Sequence, residues 1–387
     1  MSQEFPDPLA MARALEVARN GLGRVSPNPP VGAVLVAAED SQQRAEGWHQ
    51  VHGGPHAEVN CLEAAKQAGI DAKGADLYVT LEPCAHHGKT PPCVDSIIGA
   101  QIARVIVSTD DPNPVTSGQS YPRLAAAGIE VVRGFLAEDG KWLIAPYLCH
   151  IRNGRPLVTA KWAMTADGRI ACSGGDSRWI TAEETRVATR RARSEVDAIL
   201  VGVGTIAADD PQLTSRTEDR PEPVRVVIDP GCRTPVDARL FESETALLIY
   251  CSEGAATSDS AQALRRCGAE VVPLPATEGE ILIVDLLHDL AARGVQNLLV
   301  EGGADTHGRF LDADLVDRVQ ILIAPKLVGG RSAPGPVGGE GISRMELARD
   351  IRRCHRRELG SDTVLEGAIS AAGSGDEVAT ETPSERG

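Results

Sequence analysis

Apolar and polar residues fall along this chain in two successive patterns. Between Asp7 and about Asn20, Leu9, Ala12, Leu15 and Val17 recur at helical spacing, with Asp7 suited to cap the helix and Pro8 to open it. Gly32 to Ala38 is a short apolar run and predicts a strand. A second helix is predicted over 57–68 with His56 at its mouth, and Leu77 to Leu81 predicts a strand ending just before Cys84. Pro92 to Gly99 reads as a third helix with Cys93 in its first turn, and strands near Arg104–Ser108 and Glu130–Arg133 complete the unit. The expected product is a helix–sheet–helix domain over residues 1–147.

Leu148 to Pro156 reads as a junction, after which the pattern restarts. Apolar runs at Leu157–Met164, Ala198–Val203, Val224–Asp229, Ala246–Tyr250, Leu298–Val300 and Val319–Ile323 alternate with helical patterns at Thr181–Glu195, Ser260–Cys267, Ile281–Ala292 and Thr306–Ala313. Thr181-Ala-Glu-Glu184 matches a capping box. Strands alternating with helices predict a second, mostly parallel α/β domain over 156–368. No repeat relates the halves. Residues 371–387 lack core formers and are expected to be disordered.

Composition changes the picture in three ways. Aromatic residues make up only 3% of the 387, so the cores must be built from Val, Leu, Ile and Ala. The formal net charge of −15 opposes a domain that grips nucleic-acid backbones, while leaving room for one small phosphorylated ligand in a local basic pocket. Nine scattered cysteines, with no signal peptide and no long apolar span, read as a reducing, cytoplasmic protein with no membrane partner. A homo-oligomer is left open.

The sharpest chemistry lies between His56 and Cys93. His56-Ala57-Glu58 is followed by Pro83-Cys84 and Pro92-Cys93. One imidazole and two thiolates are a ligand set for a catalytic Zn2+ with its fourth position open, and a carboxylate that is not a ligand, Glu58, can carry protons. Bound zinc lowers the pKa of water towards about 7. The eight-residue gap between the cysteines is wider than the commoner Cys-x-x-Cys, and alone it would fit a structural zinc or two unrelated thiols. A proline before each cysteine, the His-x-Glu upstream and the polar run Ala85-His86-His87-Gly88-Lys89-Thr90-Pro91 favour the catalytic metal. His86 and His87 are candidates for extra ligands, but with three ligands already present and an open position needed they read rather as residues behind the ligands or as substrate contacts. Asn28 reads equally as a turn residue between prolines and as a clamp on a base.

Two glycine turns mark the second half. Gly202-Val203-Gly204-Thr205-Ile206-Ala207 fits the dinucleotide fingerprint, but Asp209-Asp210-Pro211 interrupts it too soon for a Rossmann domain. A nucleotide contact there and an ordinary strand-end turn are equally compatible with it. Glu301-Gly302-Gly303-Ala304-Asp305-Thr306-His307-Gly308-Arg309, between a strand and a helical pattern, is the stronger phosphate candidate, although glycine-rich turns of this kind are common.

Three runs carry a resemblance: Pro83 to Cys93, Ser26-Pro27-Asn28-Pro29-Pro30-Val31-Gly32, and Gly53-Gly54-Pro55-His56-Ala57-Glu58. With the match continuing through Lys161 to Lys326, the chain resembles the bifunctional deaminase–reductases of riboflavin biosynthesis. The resemblance implies a cytidine-deaminase-like α/β/α sandwich followed by an α/β domain similar to dihydrofolate reductase that uses NADPH. It implies hydrolytic removal of the C2 amino group from a phosphoribosylated diaminopyrimidinone, then reduction of the ribosyl group to ribityl. By motif, Ala163, Trp179, Thr205, Asp209 and the turn Gly303, Ala304, Asp305, Thr306, His307, Gly308 and Arg309 would contact the cofactor. Ser177, Arg193, Leu213, Arg216 and Glu301 would contact the substrate, with Asn28 on the deaminase side. Arg193 and Arg216 suit phosphate chemically, although most arginines are solvated surface charge. Lys161 is either a phosphate contact or a strand-end lysine, and Asp167-Gly168-Arg169 fits the segment after the first strand. The run Val115 to Ser120, after Asp111-Pro112-Asn113-Pro114, departs from the family's pattern and bears on one substrate loop.

Three other readings compete. A zinc-dependent alcohol dehydrogenase would carry a proper dinucleotide fingerprint mid-chain and a four-cysteine zinc, and neither is in the sequence. A nucleic-acid deaminase conflicts with the charge. A zinc-stabilised interaction module leaves Glu58 with no task.

Overall fold

The computed structural model describes residues 5–86, 91–114, 116–217 and 220–370. The tail 371–387, His87 and Val115 lie outside the described residues. In chain order the elements begin α1 Pro8–Ala18, β1 Gly32–Val36, β2 Arg44–Trp48, α2 Ala57–Gln67, β3 Asp76–Leu81, α3 Cys93–Gly99 and β4 Arg104–Thr109. They continue α4 Ser120–Ala126, β5 Glu130–Arg133, α5 Ala137–Leu143, α6 Ala145–Asn153, β6 Leu157–Thr165, α7 Glu183–Ala192, β7 Ala198–Gly202, α8 Val203–Asp209 and β8 Val224–Ile228. The last are β9 Leu247–Ser252, α9 Asp259–Arg266, β10 Glu270–Leu274, β11 Ala276–Thr277, β12 Glu280–Ile281, α10 Ile283–Ala292, β13 Asn297–Val300, α11 Ala304–Asp312, β14 Arg318–Ala324, β15 Ile351–Leu359 and β16 Asp362–Ile369. The chain divides into two compact units, Met1–Leu157 with Val187–Leu299, and Val158–Arg186 with Val300–Gly387.

The first unit contains a five-stranded sheet ordered β2-β1-β3-β4-β5. β1 runs antiparallel to β2 and β3, and β3, β4 and β5 run parallel. Both faces are covered, so alternate residues of one strand enter different cores. Ala33, Leu35, Leu77, Val79, Val105 and Val107 pack with Ala57, Cys61, Ala65, Val94 and Ile97 of α2 and α3. Val34, Val36, Tyr78 and Ile106 pack with Ala10, Met11 and Ala14 of α1. Small residues bring the layers close: a Cβ on Gly47 would lie 2.2 Å from the Cys61 nitrogen, so α2 rests directly on β2. As the sequence predicts, Asp7 caps α1, accepting from the Leu9 N–H at 2.9 Å.

The same unit holds the parallel strands β7, β8, β9 and β10 with β13 beside β7. Ile199, Val201, Val227, Ile249 and Val271 form their core with Ala261 and Leu264 of α9. In the second unit β6 pairs parallel with β14, and β14, β16 and β15 are antiparallel.

The structure departs from the sequence reading in particular places. The expected junction at Leu148–Pro156 is largely α6, which ends at Asn153 with Gly154 at φ 65°. α7 opens one residue later than the Thr181 capping box places it, and the Ala182 N–H instead donates to Asp362. A helix does open after β7, but it ends at Asp209 after seven residues, with Asp210 at φ 43°. That early stop agrees with setting the Rossmann fingerprint aside.

Candidate metal centre and surrounding cleft

Three local decisions of the backbone bring the ligand-type side chains together. His56 is the extended residue before α2, Cys84 follows the buried end of β3, and Cys93 begins α3 after Pro92. The His56 Nδ1 lies 3.5 Å from the Cys84 Sγ and 3.2 Å from the Cys93 Sγ. Among the described residues these three form the one group of histidine, cysteine or carboxylate side chains whose ligand atoms lie within 4.8 Å of one another. A tetrahedral zinc with Zn–N near 2.05 Å and Zn–S near 2.3 Å places N and S about 3.5 Å apart, so the donor set and its spacing fit the metal. The Cys93 N–H also donates to the Cys84 Sγ at 3.3 Å, a bond that favours thiolate.

The electrostatics run the same way. A hydrogen bond from Cys93 draws the Cys84 thiol down to about 4, with His56 assisting against burial. Cys93 is the partner that keeps the shared proton, so its thiol is pushed up, and burial adds to this. A divalent cation overrides that preference, since a coordinating thiol is deprotonated outright. The bond to Cys84 raises His56. Glu58, in the first turn of α2, is 3% exposed. Burial, then the nearby Cys84 charge, pushes its carboxyl up to about 7. A carboxyl poised near neutrality can both take and give a proton.

These groups open onto a cleft of about 440 Å³, lined in part by Asn28, His49, His86, Asp111, Tyr147 and Gln296. That volume lies within the roughly 300–1,000 Å³ range typical of small-ligand sites. The Asn28 Nδ2 meets the His49 Nε2 at 3.0 Å, and the His49 Nδ1 donates to the Pro55 carbonyl at 3.0 Å. Burial lowers the pKa of His49, which suits that neutral form. The carbonyl oxygen of the Asn28 amide is thereby left for another partner.

Sequence reasoning missed His49, Glu82, Asp111, Tyr147 and Gln296. Glu82 precedes Pro83-Cys84 and is 5% exposed. It accepts from the Ser120 hydroxyl at 2.7 Å and from the Gly118 N–H at 3.0 Å. One buried carboxylate thus ties the end of β3 to the 111–120 loop. Within that loop Thr116 donates to Asp111, which also accepts from the Tyr147 hydroxyl at 3.2 Å. A charged residue beside a metal-ligand motif was the available signal for Glu82. Gln296 carried none.

The other predicted residues fall in both units. In the first, Thr205 and Asp209 lie on α8, and Arg193 donates to the Thr214 carbonyl at 3.1 Å. Leu213 and Arg216 on that loop have φ of 58° and 57°, and the Arg216 N–H is held by Glu222 at 2.9 Å. Arg193, on the short helical turn Arg193–Glu195, thus reaches the loop that carries Leu213 and Arg216. In the second unit Ala163 lies on β6, and Lys161 pairs with Glu301 at 3.7 Å. Ser177 stands two residues before Trp179, which is 62% exposed beneath the Arg186 guanidinium at 4.4 Å. The turn opens α11 with Gly303 as its N-cap and no side-chain cap, so Ala304, Asp305 and Thr306 start the helix with main-chain donors free of side-chain capping. That arrangement fits a dinucleotide phosphate. His307 is fully buried and its ring nitrogens face the Pro336 and Val300 carbonyls. Gly308 packs so tightly that a Cβ would lie 2.4 Å from the Gly338 carbonyl carbon, and Arg309 follows it on α11.

Comparison with known proteins agrees with both halves. The model of the cytidine and deoxycytidylate deaminase zinc-binding region matches residues 6–109, and that of the RibD C-terminal domain matches 156–365. The riboflavin biosynthesis protein RibD of Actinobacillus pleuropneumoniae is 40% identical over 359 residues, covering 92% of this chain and 93% of its own. That of Aquifex aeolicus is 39% identical, covering 92% and 96%. The crystal structure of a diaminohydroxyphosphoribosylaminopyrimidine deaminase/5-amino-6-(5-phosphoribosylamino)uracil reductase from Thermotoga maritima superposes with a TM-score of 0.80 at 36% identity, covering 94% of this chain and 98% of that one. Acinetobacter baumannii RibD gives 0.79 at 31%. Matched along nearly its whole length by these relatives, and carrying a zinc-binding deaminase region ahead of an NADPH-using reductase region, the chain belongs to the RibD family of bifunctional deaminase–reductases of riboflavin biosynthesis.

Proposed function

We propose that the cleft at His56 removes the C2 amino group of 2,5-diamino-6-(5-phosphoribosylamino)pyrimidin-4-one, with His56, Cys84 and Cys93 as zinc ligands and Glu58 as proton carrier. The observation that carries this is a buried carboxyl near neutral pKa, set beside three converging ligand atoms at the mouth of a ligand-sized cleft. Zinc held there would act as a Lewis acid and lower the pKa of water towards about 7. Glu58 takes one proton from the attacking water and returns it to the amino group, which leaves as ammonia. Asn28, oriented by His49, holds the base through its amide oxygen.

The reduction converts 5-amino-6-(5-phosphoribosylamino)uracil to its ribityl form, with NADPH supplying the hydride. The turn Gly303–Arg309 offers main-chain N–H groups to the cofactor, while Ala163 and Trp179 are its further contacts within the second unit. By the family resemblance Ser177, Arg193, Leu213, Arg216 and Glu301 are assigned to the substrate, with the arginines as phosphate partners, and Thr205 and Asp209 to the cofactor. A net charge of −15 favours a small phosphorylated ligand over a nucleic acid. All nine cysteines are free thiols, which suits a reducing compartment such as the cytoplasm.

The test supplies purified protein with the diaminopyrimidinone ribotide, with and without NADPH, and follows ammonia and NADP together. Ammonia in both arms and NADP only with NADPH is expected. Ammonia without NADPH consumption removes the reductase assignment, and no ammonia removes the deaminase assignment.

A further inference from the structure

The turn that carries Asn28 is gripped by residues far outside the deaminase-matched segment. The Ser26 hydroxyl donates to the Asp197 Oδ1 at 2.6 Å. The Gln296 Nε2 donates to the Pro27 carbonyl at 2.8 Å. Asp197 and Gln296 are themselves locked, because the Asp197 Oδ2 accepts from the Gln296 and Asn297 N–H groups, both at 2.9 Å. Asp197 precedes β7 and Gln296 precedes β13, so one carboxylate joins two strand starts and reaches the turn. Gln296 is 3% exposed and lines the cleft with Pro27 and Asn28. All of these residues lie within the same compact unit. Deaminase-model similarity ends at residue 109, whereas both gripping residues lie in the segment matched by the reductase model.

We infer that Asp197 and Gln296 are positioning residues for deamination: they fix the Ser26–Asn28 turn so that the Asn28 amide meets the substrate base. The inference rests on reading this cleft as the deaminase site. Of two side-chain bonds from strand starts, one holds the Ser26 hydroxyl and the other the Pro27 carbonyl, and His49 holds the Asn28 side chain itself. Placement of a binding amide sets affinity and turnover steeply with displacement. Losing one such bond shifts the geometry rather than the metal, so the effect falls on use of the ribotide.

The test measures full-chain Gln296→Ala, Ser26→Ala, Asp197→Ala, the Ser26→Ala/Asp197→Ala double variant and Asp197→Asn. Readouts are KM and kcat for ammonia release from the ribotide, zinc per chain, and NADPH oxidation on the deaminated substrate. KM is expected to rise about five- to tenfold in Gln296→Ala, with zinc and NADPH oxidation within twofold of the parent. The Ser26 and Asp197 effects are expected to be non-additive in the double variant. Asp197→Asn is expected to recover most of the loss seen in Asp197→Ala, because its amide can donate to a reoriented Ser26 hydroxyl. A KM within twofold of the parent in Gln296→Ala and Ser26→Ala overturns the inference. So does a parallel fall of ammonia release, zinc and NADPH oxidation, which is what loss of folding alone produces. If the parent itself releases no ammonia, the reading of the cleft fails instead.

Discussion

Replacing Glu58 by glutamine isolates the proton carrier from the rest of the cleft. Glutamine keeps the size of the side chain and its 3% exposure, but it can neither take nor give a proton at neutral pH. General acid–base catalysis by one positioned group contributes roughly 10²–10⁴-fold. On the proposed mechanism Glu58 serves both halves of the transfer, so the upper end applies. We expect kcat for ammonia release to fall by at least about 10³-fold, near 4 kcal/mol at 1.36 kcal/mol per tenfold. The metal should stay, because Glu58 is one of the groups that push the Cys93 thiol up; removing its charge eases formation of the second thiolate. The assay follows ammonia from the ribotide, zinc per chain, and NADPH oxidation on 5-amino-6-(5-phosphoribosylamino)uracil. Full zinc, intact NADPH oxidation and lost ammonia release are expected. More than a tenth of the parent ammonia rate, or loss of zinc, refutes the reasoning.

Gly47→Ala places a methyl 2.2 Å from the Cys61 nitrogen and so pushes α2, with His56 and Glu58, off the sheet. Zinc content and ammonia release should drop and unfolding should shift by about 2–3 kcal/mol in denaturant titration, whereas parent-like zinc and stability argue against that packing. Gly308→Ala sets a methyl 2.4 Å from the Gly338 backbone, and NADPH binding by fluorescence titration should weaken while ammonia release persists. Loading zinc into the metal-stripped chain near pH 8 should release protons, because the raised Cys93 thiol must ionise to bind the metal, whereas Cys84 is already ionised above about 4. His56, raised above its ordinary value, must also give up its proton as the pH falls, so affinity falls with acid. Calorimetry in buffers of different ionisation heat measures this, and proton-independent binding contradicts it.

The convergence of His56, Cys84 and Cys93 was legible because these side chains are chemically distinctive and each sits at an element boundary that the apolar pattern already marks. The helices and strands that carry large aliphatic residues were legible for the same reason, as in β3, β4 and β7. Strand β2 was not, since its buried positions are the small residues Ala45 and Gly47, the latter in direct contact with α2. β15 and β16 escaped because β15 is mostly exposed and shows no alternation of large apolar residues. Helices α4, α5 and α6 are short or proline-bearing, and α6 lay where a change of pattern suggested a junction. The parts of the cleft that escaped are those held by long-range bonds. His49 matters through Asn28, Glu82 through Ser120, and Gln296 through Pro27 across 269 positions, a separation no local pattern encodes.

Zinc K-edge absorption spectroscopy on the intact protein, with elemental analysis of the same sample, probes the centre most directly. One zinc per chain is expected, with two sulfur scatterers near 2.3 Å and two nitrogen or oxygen scatterers near 2.0–2.1 Å, one of them exchangeable. A zinc bound by four protein side chains with no exchangeable position, or a chain that carries no zinc when purified without chelator, would contradict the assignment of His56, Cys84 and Cys93 as an open catalytic site.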